Sequence, residues 1–157
     1  MKLDVGSGGK SGLGPDWLGV DAYVPMADVQ AEMWDLPFET ESVDEIYSSH
    51  ALEHVSIRQI QPTLNEWFRV LKPGGLLTLQ VPDLAWCMIQ WLANPTTGFE
   101  LMRIFGNQEH EGEYHKCGFT PQILAHQLGT TGFQVRKIET IWSHAQQTLN
   151  VEAVKQG

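Results

Sequence analysis

Leu3-Asp4-Val5 runs directly into Gly6-Ser7-Gly8-Gly9, and Leu18-Gly19-Val20 ends on Asp21. A short apolar strand, glycines where the backbone must approach a ligand, and an acid closing the next strand together describe a crevice for a nucleoside. Imidazoles are the other reactive group: His50 and His54 stand four apart, and His110 and His115 follow in a polar stretch. Imidazole titrates near neutral pH and ligates metals. No His-Glu-x-x-His is present, and a helix would put Glu53 on a different face from His54, so no metal site is expected.

Two phosphate-bearing ligands fail on spacing. A P-loop needs a glycine five positions before its Gly-Lys pair, and ahead of Gly9-Lys10 that position is Asp4. A dinucleotide site wants G-x-G-x-x-G opening a helix, so that pyrophosphate sits on the helix N-terminus. Glycines at 6, 8 and 12 end on the wrong spacing, and Lys10 to Asp16, broken by Gly12, Gly14 and Pro15, is too short for that helix.

The elements that must position these residues alternate in type, the pattern of a parallel sheet covered by helices. Strands are expected at Lys2–Val5, Trp17–Asp21, Asp28–Glu32, Asp44–Ser49, Leu76–Val81, Phe133–Trp142 and Leu149–Val154, the last two as an antiparallel hairpin. Apolar residues from Leu52 to Leu71 recur at three and four, predicting a helix over 51–71 that Pro62 divides or kinks and Lys72-Pro73-Gly74-Gly75 stops. A second helix is expected over Leu84–Leu92, broken at 94–98, and a third from Thr120-Pro121 to near Gly129. Residues 98–118 read as one long irregular piece, the kind that forms a lid or binding loop.

Composition bounds the rest. The chain has 157 residues, hydrophobic residues at 42% and six tryptophans, enough for one sizeable core, so a single domain over 1–157 is expected. A formal charge of -9 and scattered basic residues argue against a nucleic-acid backbone binder. No apolar run approaches a membrane span, and Cys87 and Cys117, without CxxC spacing or a secretory leader, read as reduced thiols of a cytoplasmic protein.

A ligand without phosphate needs no helix dipole, and here the chain resembles a known family, the class I S-adenosylmethionine-dependent methyltransferases. It is most similar to the small type 11 domains with a shortened first crossover. The resemblance rests on Leu3-Asp4-Val5-Gly6-Ser7-Gly8, Gly19-Val20-Asp21, Glu32-Met33-Trp34-Asp35-Leu36-Pro37-Phe38, the run from Ser42 to His54, and Trp67-Phe68-Arg69-Val70-Leu71-Lys72-Pro73-Gly74-Gly75. The back half is similar only in outline. The resemblance implies an α/β, Rossmann-like three-layer sandwich with a mostly parallel seven-stranded sheet and a reversed last strand. It implies S-adenosylmethionine as cofactor, with Gly6, Ser7 and Gly8 on the methionine part, Asp4 toward its ammonium and Asp21 on both ribose hydroxyls. Glu32 and the Met33 amide would take the adenine edge, Trp34 its face, and Ser49 and His50 the sulfonium side.

Two departures stand out: Gly9-Lys10 replaces the family's usual third glycine, and the helix that usually precedes the first strand is missing, so a partner or the 98–118 segment is expected to cover the site. His50 or His115 is expected as general base where the acceptor carries a proton. The activity expected is methyl transfer to a small-molecule or sugar-like acceptor, with no nucleic-acid or membrane partner and a homodimer left open. The alternative is a non-catalytic S-adenosylmethionine-binding module acting with a partner chain.

Overall fold

The computed structural model describes residues 1–96 and 98–157, and only the backbone of 99 and 100. Thr97, in the expected break at 94–98, lies outside the described residues. Among the described residues six strands form one sheet in the order β2-β1-β3-β4-β6-β5. They are β1 (Lys2–Val5), β2 (Trp17–Val20), β3 (Val43–Ser49), β4 (Leu71–Pro82), β5 (Phe133–Ser143) and β6 (Gln146–Lys155). The first four are mutually parallel, and β6 runs antiparallel to both β4 and β5. The helices are α1 (Ile60–Val70), α2 (Leu84–Ala93), α3 (Gly98–Phe105) and α4 (Pro121–Thr131). This is the α/β Rossmann-like architecture the alternation predicts.

The sheet has six strands of mixed orientation, not seven. The strand expected over 28–32 is reduced to one bridge, Val29 to Val20, with the Gly19 amide donating to the Asp28 carboxylate at 2.9 Å. A side chain there takes an amide that ladder pairing would otherwise use, and the segment turns away after one residue. The segment 98–118 is not irregular throughout: α3 fills its start, and a 3-10 turn occupies Glu111–Glu113.

Local chemistry explains most boundaries. The break in 51–71 falls before Pro62, which sits in the first turn of α1, where its missing amide costs nothing; Leu52–His54 is a separate 3-10 turn. Lys72–Gly75 do not end the strand register cleanly: Val43 pairs Leu71, but Glu45 pairs Leu76, so four residues loop out around Gly74, whose φ of 80° is left-handed. Beyond them Leu77, Leu79 and Val81 alternate into the core. Asp83 caps α2 by accepting from the Ala85 and Trp86 amides, and Thr120 caps α4 with Pro121 as its first residue. Of α2 only Cys87 is buried; Ile89 and Leu92, with Phe105 and Trp142, leave an exposed apolar surface. Neither cysteine forms a disulfide. Among the described residues no helix is long and apolar enough to cross a membrane.

Trp67, fully buried on α1, ties the core to the segment before β3. Its Nε1 donates to the Met33 carbonyl at 3.0 Å, while Glu66 accepts from the Leu36 amide and Arg69 donates to the Leu36 and Phe38 carbonyls. One face of one helix thereby fixes residues 33–38, which carry no regular hydrogen-bond ladder of their own. Trp67→Phe removes the donor and leaves a void, and urea unfolding should show a loss of about 2–3 kcal/mol.

Candidate active site

The strand order reverses direction between β1 and β3, since β2 lies on one side of β1 and β3 on the other. In open α/β sheets ligands bind outside the carboxyl ends of the strands at such a point. A cavity of about 330 Å³ opens there, within the roughly 300–1,000 Å³ typical of small-molecule sites. Its floor is Val5-Gly6 after β1, Val20-Asp21 after β2 and His50-Ala51 after β3; Glu32, Met33 and Trp34 make one wall. Gly112 and Lys116, from the segment after α3, close another side, so this segment does line the site.

Gly6 is required sterically. Its φ is 76°, and a Cβ placed on it would lie 2.2 Å from Ala51 Cβ. Gly19 answers a different crowding, because a Cβ there would meet the Gly9 carbonyl at 2.3 Å where the loop after β1 folds over β2. The Gly6 amide donates to the Val20 carbonyl at 2.8 Å, locking the turn to the neighbouring strand.

The structure divides the expected residues. Gly6, Asp21, Glu32, Met33, Trp34 and His50 line one cavity. Ser7, Gly8, Asp4 and Ser49 stand behind its surface. Ser7 Oγ bonds the Gly9 carbonyl, and Ser49 Oγ donates to Gln80 Oε1 at 3.0 Å. The Gly8 amide donates to Asp21 Oδ2 at 2.9 Å, while Asp21 Oδ1 accepts from the Tyr23 and Val24 amides. A carboxylate has about four acceptor sites, so three amides leave Asp21 room for one further hydroxyl rather than two. Asp4 is buried beneath the turn and accepts from Ser11 Oγ at 2.9 Å; burial pushes its carboxyl above the ordinary range, against that hydrogen bond.

His50 takes a left-handed backbone, φ 52°, that turns it toward a buried acid. Its Nδ1 lies 3.4 Å from Glu53 Oε1, and its Nε2 lies 3.3 Å from Thr148 Oγ1 on β6. With the proton on Nδ1, facing the acceptor-only carboxylate, Nε2 is the basic nitrogen. His115 does not line this cavity. It sits behind Glu53, Nε2 at 4.0 Å from Oε1, in a second cavity of about 10 Å³; burial lowers its pKa, partly countered by Glu53. Beside it burial, then Glu53, push the Cys117 thiol up to about 12, so it carries no nucleophilic thiolate at neutral pH. His54 and Tyr23 also line the main cavity and were not singled out for it. Tyr23 had one available signal, its place two residues past the acid that ends β2.

Fold and crevice define a Rossmann-like protein that takes a nucleoside-bearing cofactor at the carboxyl edge of its sheet. The family model of the type 11 methyltransferase domain matches residues 3–79, 77 of the 157 residues. The protein is a class I S-adenosylmethionine-dependent methyltransferase, an enzyme with S-adenosylmethionine as its cofactor. Solved structures share the fold across the whole chain. A methyltransferase from Methanosarcina mazei superposes with a TM-score of 0.72 at 16% identity, covering 99% of this chain and 92% of that one. A putative methyltransferase from Haloferax volcanii, solved in complex with the Trm112 activator, gives 0.69 at 16%, covering 99% and 82%. The Burkholderia thailandensis 1,6-didemethyltoxoflavin-N1-methyltransferase, solved with its namesake ligand and S-adenosylhomocysteine, gives 0.67 at 16%, covering 99% and 71%. No curated protein matches the chain.

Gly6→Ala should lower S-adenosylhomocysteine affinity at least tenfold by calorimetry, because both the turn and Ala51 must move. Asp4→Asn should raise the melting temperature at pH 7. A carboxyl raised in the folded state stabilises it only below the unfolded pKa, and that contribution is lost as pH rises, so removing the charge helps at neutral pH and the gain fades toward about pH 4.

Proposed function

We propose that this methyltransferase acts on a small-molecule or sugar-like acceptor that reaches the reacting centre beside His50. The observation that carries the reading is the cavity itself: His50 on its floor, Lys116 and Gly112 closing its side, and a volume of about 330 Å³, the size of a small-molecule site. The charge of -9, without a cationic stripe, supports the same class.

When bound, S-adenosylmethionine would supply an electrophilic methyl group, its bond to sulfur breaking as the acceptor gains the methyl and S-adenosylhomocysteine leaves as a neutral thioether. The residues of the chain bind and orient. Gly6 admits close approach of the methionine part, with Ser7 and Gly8 shaping the turn behind it. The buried Asp4 carboxylate puts negative charge beneath that turn, complementary to the cofactor's ammonium. Asp21 offers its remaining acceptor position to a ribose hydroxyl, Glu32 and Met33 face the adenine edge, and Trp34 packs on its face. Ser49 acts through Gln80, fixing the turn that presents His50. His50 Nε2 accepts the acceptor's proton, with Thr148 and Glu53 holding the ring in the tautomer that can do so. His115, removed from the cavity by Glu53, takes no proton from the acceptor in this reading.

Against a panel of hydroxylated and aminated small acceptors, release of S-adenosylhomocysteine should be detected with one acceptor class. His50→Ala should lower kcat about 100-fold, with S-adenosylhomocysteine affinity changed less than threefold. Tight S-adenosylmethionine binding without turnover of any acceptor pool would instead favour the module that works with a partner chain. The homodimer reading draws support from the apolar surface of α2, α3 and Trp142; light scattering at tens of micromolar that returns 17.6 kDa removes it.

A further inference from the structure

Glu53 presents an electrostatic problem that the methyl-transfer site does not solve. Its side chain is 1% exposed, and neither carboxylate oxygen accepts a hydrogen bond. A carboxylate withdrawn from water costs several kcal/mol unless cationic or hydrogen-bonding partners compensate it. The groups aimed at it are imidazoles. His50 Nδ1 lies at 3.4 Å and His115 Nε2 at 4.0 Å, while the rings of His54 and His115 meet edge to face, 4.8 Å between centroids. One ligand atom each from Glu53, His54 and His115 all fall within 4.8 Å of one another.

The orientation of the imidazoles is the second observation. His54 Nδ1 lies 3.2 Å from the Tyr114 carbonyl, which can only accept, so Nδ1 carries the proton and Nε2 presents its lone pair. The His115 ring is likewise hydrogen-bonded to the Arg103 backbone. An imidazole whose second nitrogen is committed to a backbone carbonyl is the arrangement found behind metal-ligating histidines, where it fixes tautomer and ring direction. The backbone joins these groups independently of their side chains, since the Lys116 amide donates to the Glu53 carbonyl at 2.8 Å.

We propose that Glu53, His54 and His115 bind one divalent transition-metal cation of the zinc or iron(II) type. Two imidazoles and a carboxylate form a donor set suited to those ions, whereas magnesium and calcium prefer all-oxygen cages. Bonds of about 2.0–2.2 Å place neighbouring ligand atoms about 3.0–3.5 Å apart, so the set closes on the ion by side-chain rotations of about 1 Å. His50 stays outside it, its ring facing the cofactor cavity. His54 belongs to both places, lining that cavity while ligating, so the ion sits beside the methyl-transfer centre. Sequence spacing predicts no metal, since no His-Glu-x-x-His is present and a helix would separate Glu53 from His54; the 3-10 turn instead buries Glu53 beside His115.

The test uses the whole chain freed of metal by chelation, titrated with Co²⁺ and followed by visible absorption, and with Zn²⁺ followed by calorimetry. One equivalent should bind with release of protons, and Glu53→Gln, His54→Ala and His115→Ala should each weaken binding at least 100-fold. His126→Ala, at an exposed position of α4, should leave it unchanged. Circular dichroism and S-adenosylhomocysteine affinity of each variant separate loss of the ion from loss of the fold. Imidazole resonances of the unmodified chain give a readout without substitution: Co²⁺ should shift those of His54 and His115 and spare His126. Absence of binding below millimolar Co²⁺ and Zn²⁺, or binding that ignores the three substitutions, overturns the proposal. Because cofactor affinity is measured on the same samples, failure of the ion site leaves the methyltransferase assignment untouched.

Discussion

Everything at the carboxyl edge of the sheet depends on how closely the turn after β1 can approach the turn after β3. At Gly6 the two backbones meet with less room than one methyl group occupies, and only a residue without a side chain, in a left-handed conformation, permits it. The approach draws the end of β1 against Ala51 and carries His50 to the rim of the cavity. Through the Gly6 amide on the Val20 carbonyl it also pulls the end of β2, and Asp21, to the opposite rim. Two small residues thus set the spacing of the reactive ones.

The first half of the chain was largely legible in its sequence, for physical reasons. β1, β2 and the Leu76–Val81 part of β4 are short apolar runs flanked by turns, the trace of a buried strand, while β3 was read from the turn signal at Glu41-Ser42 before it. The hairpin of β5 and β6 was legible from two alternating runs joined by a few polar residues. The segment 28–32 was not, since the side chain of Asp28 replaces one ladder partner and a single bridge has no periodicity to detect. Helix α3 was hidden because it is only eight residues long and starts at Gly98, on the end of the Asn94–Gly98 run of helix-breaking residues. At the site, the cavity residues contributed by strand ends could be read off their motifs, while Gly112 and Lys116 could not, because only the return of the chain from α3 brings them to the rim.

Two buried acids show how one chain handles the same cost in different ways. Asp4 accepts one hydroxyl beneath the glycine turn and is pushed toward its neutral form, while the Glu53 carboxylate lies among imidazoles and accepts no hydrogen bond. Asp21, by contrast, sits at the cavity edge with three backbone amides on its carboxylate and needs neither remedy. Placement relative to the sheet edge, rather than residue type, separates the three. Sequence shows that an acid is present, but the protein interior decides what the acid costs.

The strand β6 is synthesised after every element it touches, yet it does not lie at the sheet's edge. It inserts between β4 and β5, its Thr148 reaches His50 at one end, and its Lys155 is buried at the other, donating to the Leu71 carbonyl at 2.9 Å. During translation the sheet therefore waits with β4 unpaired along one side until residues 146–155 leave the ribosome. A nascent chain that already contains the glycine turn, Asp21 and His50 still lacks the neighbour that steadies His50. The order of synthesis thus withholds a complete site until the whole sheet can close.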